Sequence, residues 1–201
     1  MEIAAAQDAV YEAVVSDMTT PAHRQQKITQ LVFNNELLTS FEDGPGGESC
    51  EKVAKQNLGA GTSMPPLNSL VDKVYRLVTR GGDDYSIRPD TILDFAQKDC
   101  AGGHLSETFH TDLPRTFISP GSVSFNLAPT RENRNKSFEQ LFPGADGIIS
   151  FSHVGFDTSL DEAIVSTSFV CGLLCGSGHI YVLQKRYGRW KVVNAWMIWI
   201  S

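Results

Sequence analysis

The last quarter of the chain, residues 147–201, most constrains what this sequence can fold into. It holds four segments rich in β-branched and aromatic residues, each bounded by turn residues, at 148–156, 163–170, 179–187 and 190–200. Short connections of this kind join neighbouring antiparallel strands. We therefore predict an antiparallel β-meander whose tightest turn runs from Cys171 to Gly178.

The last of these strands carries apolar residues at both alternating positions. One set points to one face and the other set to the opposite face, because successive side chains of a strand alternate. The sets are Trp190, Val192, Trp196, Ile198 and Ile200, and Val193, Ala195, Met197 and Trp199. This pattern predicts a strand that is central in the sheet or covered on both faces.

Helical spacing of apolar residues dominates the rest of the chain. It predicts an amphipathic helix over 3–18, a helix over 67–78 between Pro66 and Gly81-Gly82, and a short helix after Pro89 that Asp90 caps. Phe138 to Phe142 predict one helical turn. Strands are expected at 28–33 and around Phe117-Ile118.

These elements predict a single α+β domain over residues 1–201. Three helices would pack on a mainly antiparallel sheet that ends in the meander, and a cystatin-like cone is one concrete version of this arrangement. Turn residues fill the first part of residues 43–88, which predicts a mobile loop there. Regular strand-helix units are missing, which argues against a doubly wound parallel sheet.

Composition excludes several classes of partner. The formal net charge is −6 and the pI is near 5.3, so no basic field is expected to hold a nucleic acid. No apolar run reaches the roughly 18 to 20 residues that a membrane span needs. Met1-Glu2 opens a segment without the basic n-region of a signal peptide. A soluble protein that binds a protein or a small molecule is the expectation.

Two cysteines with three residues between them mark the predicted turn. Cys171 and Cys175 could approach within the roughly 4.4 to 6.8 Å that a disulfide requires between Cα atoms. Such a bridge persists in an oxidising compartment, whereas two reduced and partly buried thiols are the alternative. Cys50 and Cys100 lie far apart in sequence and are either a second bridge or free thiols.

The same region invites a metal and a nucleophile interpretation. Cys171, Cys175 and His179 give a Cys-x3-Cys-x3-His spacing with zinc-binding residue types, but a fourth ligand such as His153 would be needed. A cysteine nucleophile assisted by His153 or His179 is chemically sufficient if the groups meet. Gly172, Gly176 and Gly178 are interpreted as positive-φ positions of the turn and not as a phosphate loop, and no cofactor is predicted.

The carboxyl-terminal segment resembles a widespread group of bacterial proteins with no established activity, many of which carry an export signal. The resemblance covers residues 138–201 and depends on these motifs: Gly147-Ile148-Ile149-Ser150, Val154-Gly155-Phe156, Cys171-Gly172, Cys175-Gly176-Ser177-Gly178, Leu183, Gly188-x-Trp190-Lys191-Val192 and Trp199-Ile200-Ser201. It implies an α+β domain in which residues 43–88 are an insertion, and it favours a periplasmic or secreted setting. It implies no catalytic residue.

Three functions follow from these patterns. The preferred one is a binding or interaction domain without catalysis, which uses the Cys171 to Gly178 loop as a shaped rim. The second is a hydrolase or transferase with a cysteine nucleophile and a histidine. The third is a small-molecule pocket between sheet and helices, lined by Trp196, Trp199, Phe151 and Tyr181.

Overall fold

Three helices and seven strands make up the described part of the chain. The structure, a computed structural model, describes residues 2–20, 29–38, 87–99, 103–119, 138–172 and 175–201. The helices are α1 Glu2–Thr19, α2 Pro89–Asp99 and α3 Phe138–Leu141. The strands are β1 Leu31–Asn34, β2 Arg115–Ile118, β3 Ile148–Phe151, β4 Gly155–Phe156, β5 Glu162–Gly172, β6 Cys175–Arg186 and β7 Arg189–Ile200.

Most predicted elements lie where local sequence placed them. The helix predicted over 3–18 is α1, the strand predicted over 28–33 overlaps β1, and Phe117-Ile118 belong to β2. The helix predicted over 67–78 lies outside the described residues, as do Cys50, Cys100 and all of the predicted insertion at 43–88 except Ile87 and Arg88. The single-domain assignment stays a prediction.

The sheet is mixed and mostly antiparallel. Its strand order is β2-β1-β3-β5-β6-β7, and β4 pairs beside β3 on β5. β1 runs parallel to both β2 and β3, whereas β3, β4 and β6 run antiparallel to β5, and β7 runs antiparallel to β6. Together with the helices this sheet confirms the predicted α+β class and the meander of β5, β6 and β7.

Each face of the sheet carries its own apolar core. Alternate residues of β5 and β6 divide between the two cores, because neighbouring side chains of a strand point to opposite faces. The first core joins Val10, Tyr11 and Val14 of α1 to Ala163, Val165, Tyr181 and Leu183. The second core joins Ile92, Phe95 and Ala96 of α2 to Ile164, Ile180 and Val182. The sheet therefore lies between α1 and α2.

One predicted strand is interrupted, and one of the two alternatives predicted for the last strand is wrong. The strand predicted over 148–156 is interrupted, because Ser152 turns its hydroxyl to the backbone N–H of Ser166 at 2.9 Å and the chain resumes pairing only at Gly155. β7 is not central; it is the last strand in the sheet order. A register shift between Val182 and Leu183 divides one apolar set between the two cores, so that Val192 packs on the first core and Trp196 on the second.

The start of α2 also differs from its prediction. Pro89 occupies the first helical position, where its fixed φ and missing N–H are tolerated, and the first helical bond joins the N–H of Ile92 to the carbonyl of Arg88 at 3.3 Å. Asp90 thus lies inside the first turn instead of capping it. No described helix is long and apolar enough to cross a membrane.

Candidate functional site

The β5–β6 hairpin ends in a disulfide. Cys171 and Cys175 are joined, with their Cα atoms 5.1 Å apart, so the predicted local bridge is confirmed. Gly172 pairs with Cys175, and the register shifts between Val170 and Gly172. The connection is therefore only the two residues 173–174, which lie outside the described residues, and the predicted eight-residue turn is mostly strand.

An aromatic ring explains two glycines of this hairpin. Gly176 and Gly178 are strand residues and do not have positive φ, which corrects the interpretation of these positions as turn glycines. A β carbon at Gly178 would lie 2.5 Å from Cε2 of Trp199, and one at Gly176 would lie 3.1 Å from Cζ3 of the same ring. Glycine is required here because the Trp199 ring lies against the backbone.

A second aromatic ring lies against a glycine just before β3. A β carbon at Gly147 would come 2.7 and 2.8 Å from the ring of Phe169. Phe169 packs against the first core, on the face of the sheet that α1 covers. Trp199 lies over Gly178, whose neighbours Ile180 and Val182 face the second core. The two rings therefore pack on opposite faces at the same end of the sheet.

We call this region the clasped end; it consists of residues 169–172, 175–178 and 197–201. Large apolar side chains are exposed there. Met197 is 54% exposed, Trp199 39% and Ile200 72%. These three are half of the six large hydrophobic residues that are exposed in the described part of the chain, and the other three are Ile3, Leu93 and Tyr187. Apolar exposure is thus concentrated at one end of β7.

Neither predicted histidine lies beside the disulfide. His179 is on the same strand as Cys175 and four residues further on, which places its Cα about 13 Å away. It is half-buried next to Tyr181, with ring centroids 6.1 Å apart, and this burial lowers the pKa of His179 below 6.5. Burial therefore favours the neutral form of the imidazole.

His153 lies even further from the cysteines. Phe151 pairs with Thr167, four residues before Cys171, and His153 follows beyond Phe151 in the direction that leads away from the hairpin end. Its imidazole Nε2 instead lies 3.1 Å from the position that a β carbon at Gly103 would take. The described residues contain no group of three His, Cys, Asp or Glu side chains that could hold a metal ion.

The four aromatic residues predicted to line a pocket are divided between the two faces. Phe151 and Tyr181 are buried in the first core, whereas Trp196 packs on the second core and Trp199 lies over Gly178. A cleft of about 160 Å³ lies elsewhere, between α1 and the segment 110–113. It is lined by Glu12, Val15, Ser16, Thr19, Leu31, His110, Thr111, Asp112 and Leu113.

A buried polar network fixes the start of α2 to the β4–β5 turn. Asp157 accepts hydrogen bonds from the backbone N–H groups of Asp161 and Glu162, both at 2.8 Å, and forms an ion pair with Arg88. Glu162 accepts from the Arg88 N–H at 2.7 Å and from the Thr91 hydroxyl at 2.8 Å. Asp157 raises the pKa of Arg88, which stays protonated. These acidic residues bind N–H groups of their own turn, as turn residues do, and they also bind groups at the start of α2.

Asp90 connects the same helix to the same turn. It accepts bonds from the backbone N–H and the hydroxyl of Thr158 at 3.0 and 3.1 Å, and the backbone bond is the main reason that its pKa is lowered. Sequence analysis missed this long-range network. The turn residues between the segments 148–156 and 163–170 were recognised, but no sequence signal connected them to Arg88.

Comparison of the chain with protein-family models, with curated proteins and with solved structures gave no match in any of the three.

Proposed function

We propose that this chain is a non-enzymatic binding domain that holds an extended segment of a partner protein at the clasped end. The observation that carries the proposal is the exposure of Met197, Trp199 and Ile200 at 54%, 39% and 72% near the end of an edge strand. Several large exposed apolar side chains close together in a strand are typical of interaction sites.

The partner is expected to bind as an added strand. β7 pairs on one side with β6, and no strand of the described residues pairs with its other side. Outward N–H and C=O groups of an edge strand can form a ladder with an extended peptide, and alternating side chains then contact both faces. Met197 pairs with His179 and so faces the side of α1, whereas Trp199 faces the side of α2. Apolar side chains of a partner strand would thus find a contact on each face.

The disulfide is expected to preorganise this surface. Closing a loop of about five residues contributes on the order of 2 kcal/mol by the chain-entropy relation. Its main effect is to hold β5 and β6 in fixed register below Trp199, which reduces the ordering cost of binding. A bridge of this kind supports an oxidising, exported setting, which the resemblance to exported bacterial proteins also implies.

The two alternatives have less support. A cysteine nucleophile requires a free thiolate near a base, but Cys171 and Cys175 are bonded to each other and His179 lies about 13 Å along the strand. A pocket of the predicted aromatic residues would need groups that now lie on opposite faces of the sheet. The cystatin-like version of the fold and the membership of the bacterial group stay predictions.

A peptide selection tests the proposed function. The intact oxidised chain is immobilised, a phage library of random 12-residue peptides is selected against it, and the affinities of selected peptides are measured by calorimetry. We expect an extended apolar consensus. Met197→Lys/Ile200→Lys should lower affinity at least tenfold, because charge on an edge strand opposes added strands.

The matched control is Ile3→Lys/Leu93→Lys, which makes the same chemical change at two other exposed apolar residues. It should leave affinity unchanged. Cys171→Ala/Cys175→Ala should weaken binding severalfold while the chain stays folded. Selected peptides that bind the site variant and the control variant equally well would exclude the clasped end as the binding surface.

A further inference from the structure

Positive charge is concentrated on the β6–β7 hairpin. The structure describes seven Lys and Arg residues, and four of them, Lys185, Arg186, Arg189 and Lys191, lie on this hairpin with exposed side chains. We call residues 185–191 the basic hairpin. Its sequence, Lys-Arg-Tyr-Gly-Arg-Trp-Lys, contains no acidic residue, although the whole chain carries a formal net charge of −6.

The other three described cations have internal partners. Arg88 pairs with Asp157, and Lys98 pairs with Asp94 at 2.6 Å. Arg115 donates to the backbone carbonyls of Phe109 and Glu107. By contrast, no carboxylate of the described residues pairs with a cation of the basic hairpin; Arg186 donates to Gln184, and Lys185 lies over the Trp190 ring at 5.9 Å.

The residue at the tip of this hairpin is unfavourable for the turn that it forms. Tyr187 and Gly188 connect the strands with φ values of 53° and 75°. Two positive φ values define the turn in which Asn-Gly or Gly-Gly is preferred, and a bulky side chain at the first position is strained. Tyr187 is also fully exposed, at 103%, so the ring gains no packing in return.

The cations that pair with no described carboxylate and the exposed, strained Tyr187 both indicate that the hairpin has a binding role. Basic residues on an edge hairpin can serve to prevent edge-to-edge aggregation, but that role needs no exposed tyrosine in a left-handed conformation. Strained residues persist where function requires them. Tyrosine and arginine are also the residue types that dominate binding energy at protein interfaces.

We infer that the basic hairpin is a second binding surface, and that it binds a compact carboxylate-rich segment of another protein. The guanidinium groups of Arg186 and Arg189 can each grip a carboxylate with two parallel hydrogen bonds, and Tyr187 adds an aromatic face and a hydroxyl. A compact acidic segment contacts the hairpin alone. An extended polyanion such as a nucleic acid or an anionic membrane also approaches the acidic remainder of the chain, which repels it.

This surface is separate from the clasped end. Cys175 and Arg186 are the first and last residues of β6, a strand of 12 residues that spans roughly 36 Å at about 3.3 Å per residue. The two binding surfaces therefore lie at opposite ends of the same strands. Either one can fail its test while the other passes.

The test uses the intact, ¹⁵N-labelled chain and a decaglutamate peptide in a buffer of about 20 mM salt. We expect amide shift changes confined to residues 184–192 and binding that weakens as salt is raised. Lys185→Gln/Lys191→Gln should weaken the affinity at least fivefold. The charge-preserving control, Lys185→Arg/Lys191→Arg, should bind like the wild type.

Tyr187→Asn separates the aromatic contribution from charge. Asparagine suits the turn and leaves all four cations, so a threefold or greater loss of affinity would show that the ring takes part in binding. Unchanged affinity of Tyr187→Asn, or shift changes that do not centre on the hairpin, would overturn the proposal. Tighter binding of vesicles with 30% phosphatidylserine, or of a ten-residue oligothymidylate, would overturn the assignment of a protein partner.

Discussion

Replacement of Gly178 by alanine is expected to displace the Trp199 ring from the sheet. A β carbon at this position would lie 2.5 Å from Cε2 of Trp199, far inside the contact distance of two carbon atoms. Gly178 is held in β6 by pairing with Ser168 on one side and with Trp199 on the other. The backbone therefore has little freedom to withdraw, and the ring has to move.

The burial of Trp199 limits the size of this effect. Its side chain is 39% exposed, so roughly 150 Å² of a surface of about 250 Å² is buried. At about 25 cal/mol per Å², complete loss of this burial would cost about 4 kcal/mol. The unfolded chain already buries part of such a surface, and a displaced ring can repack at the end of a strand. We therefore expect Gly178→Ala to lower the free energy of unfolding by about 2 kcal/mol.

A double-mutant cycle measured by urea unfolding and far-ultraviolet circular dichroism tests the cause. Trp199→Ala alone should cost about 2 to 3 kcal/mol. Gly178→Ala in the Trp199→Ala background should cost nothing further, because the group that it collides with is gone. The coupling energy should be about 2 kcal/mol.

Gly188→Ala provides the matched control. No atom lies within 4 Å of the position of its β carbon, and its φ of 75° makes alanine unfavourable by about 1 kcal/mol for a purely local reason. Its cost should therefore add to that of Trp199→Ala. If the costs of Gly178→Ala and Trp199→Ala were also additive within about 0.5 kcal/mol, contact with the Trp199 ring would not be the reason that position 178 requires glycine.

Three further predictions concern the rest of the fold. Because burial lowers the pKa of His179 in the folded state, the unfolded state binds the proton first as pH falls below 6.5, so the free energy of unfolding should decrease there. His179→Gln should reduce this decrease when unfolding is measured at pH 7.5 and 5.5. A variant with the same pH dependence as the wild type would contradict the prediction. Thr91→Val removes the hydroxyl that donates to Glu162 and should lower the free energy of unfolding by about 1 to 2 kcal/mol in thermal unfolding. Wild-type stability of this variant would mean that the remaining partners of Glu162 satisfy its carboxylate. Gly155→Ala would place a β carbon 2.6 Å from the Cα of Phe95 and should cost about 2 to 4 kcal/mol with faster amide exchange in α2, and unchanged exchange would exclude this contact as the cause.

Local signals in the sequence predicted local structure well. The apolar spacing in α1 and the alternation in β5 and β6 correspond directly to buried faces, because the periodicity of each element decides which side chains reach a core. The disulfide of Cys171 and Cys175 was also a local inference, since four residues of separation allow the required approach in a tight hairpin.

Non-local relations could not be predicted in this way. The parallel pairing of β1 with β2 and β3 joins residues that are far apart in sequence, and no local pattern specifies it. β7 resembled a central strand because its apolar side chains contact two different cores. Gly176 and Gly178 suggested turn geometry because sequence alone does not reveal a ring on a neighbouring strand. The four cations between 185 and 191 were visible in the sequence, but only the fold shows that no carboxylate of the described residues pairs with them.

The pairing of β1 has a consequence for how the chain is made. Val32 pairs with Ile148, 116 residues later in the chain, and Leu31 pairs with Arg115, 84 residues later. β5, β6 and β7, in contrast, pair with their immediate neighbours in sequence and can form soon after they are synthesised. At about 5 to 20 residues per second, β1 waits roughly 6 to 23 seconds on the ribosome for its partner β3. Until β2 and β3 are synthesised, Phe33, which is fully buried in the finished fold, has no neighbouring strand, so its apolar surface is open to association with other chains.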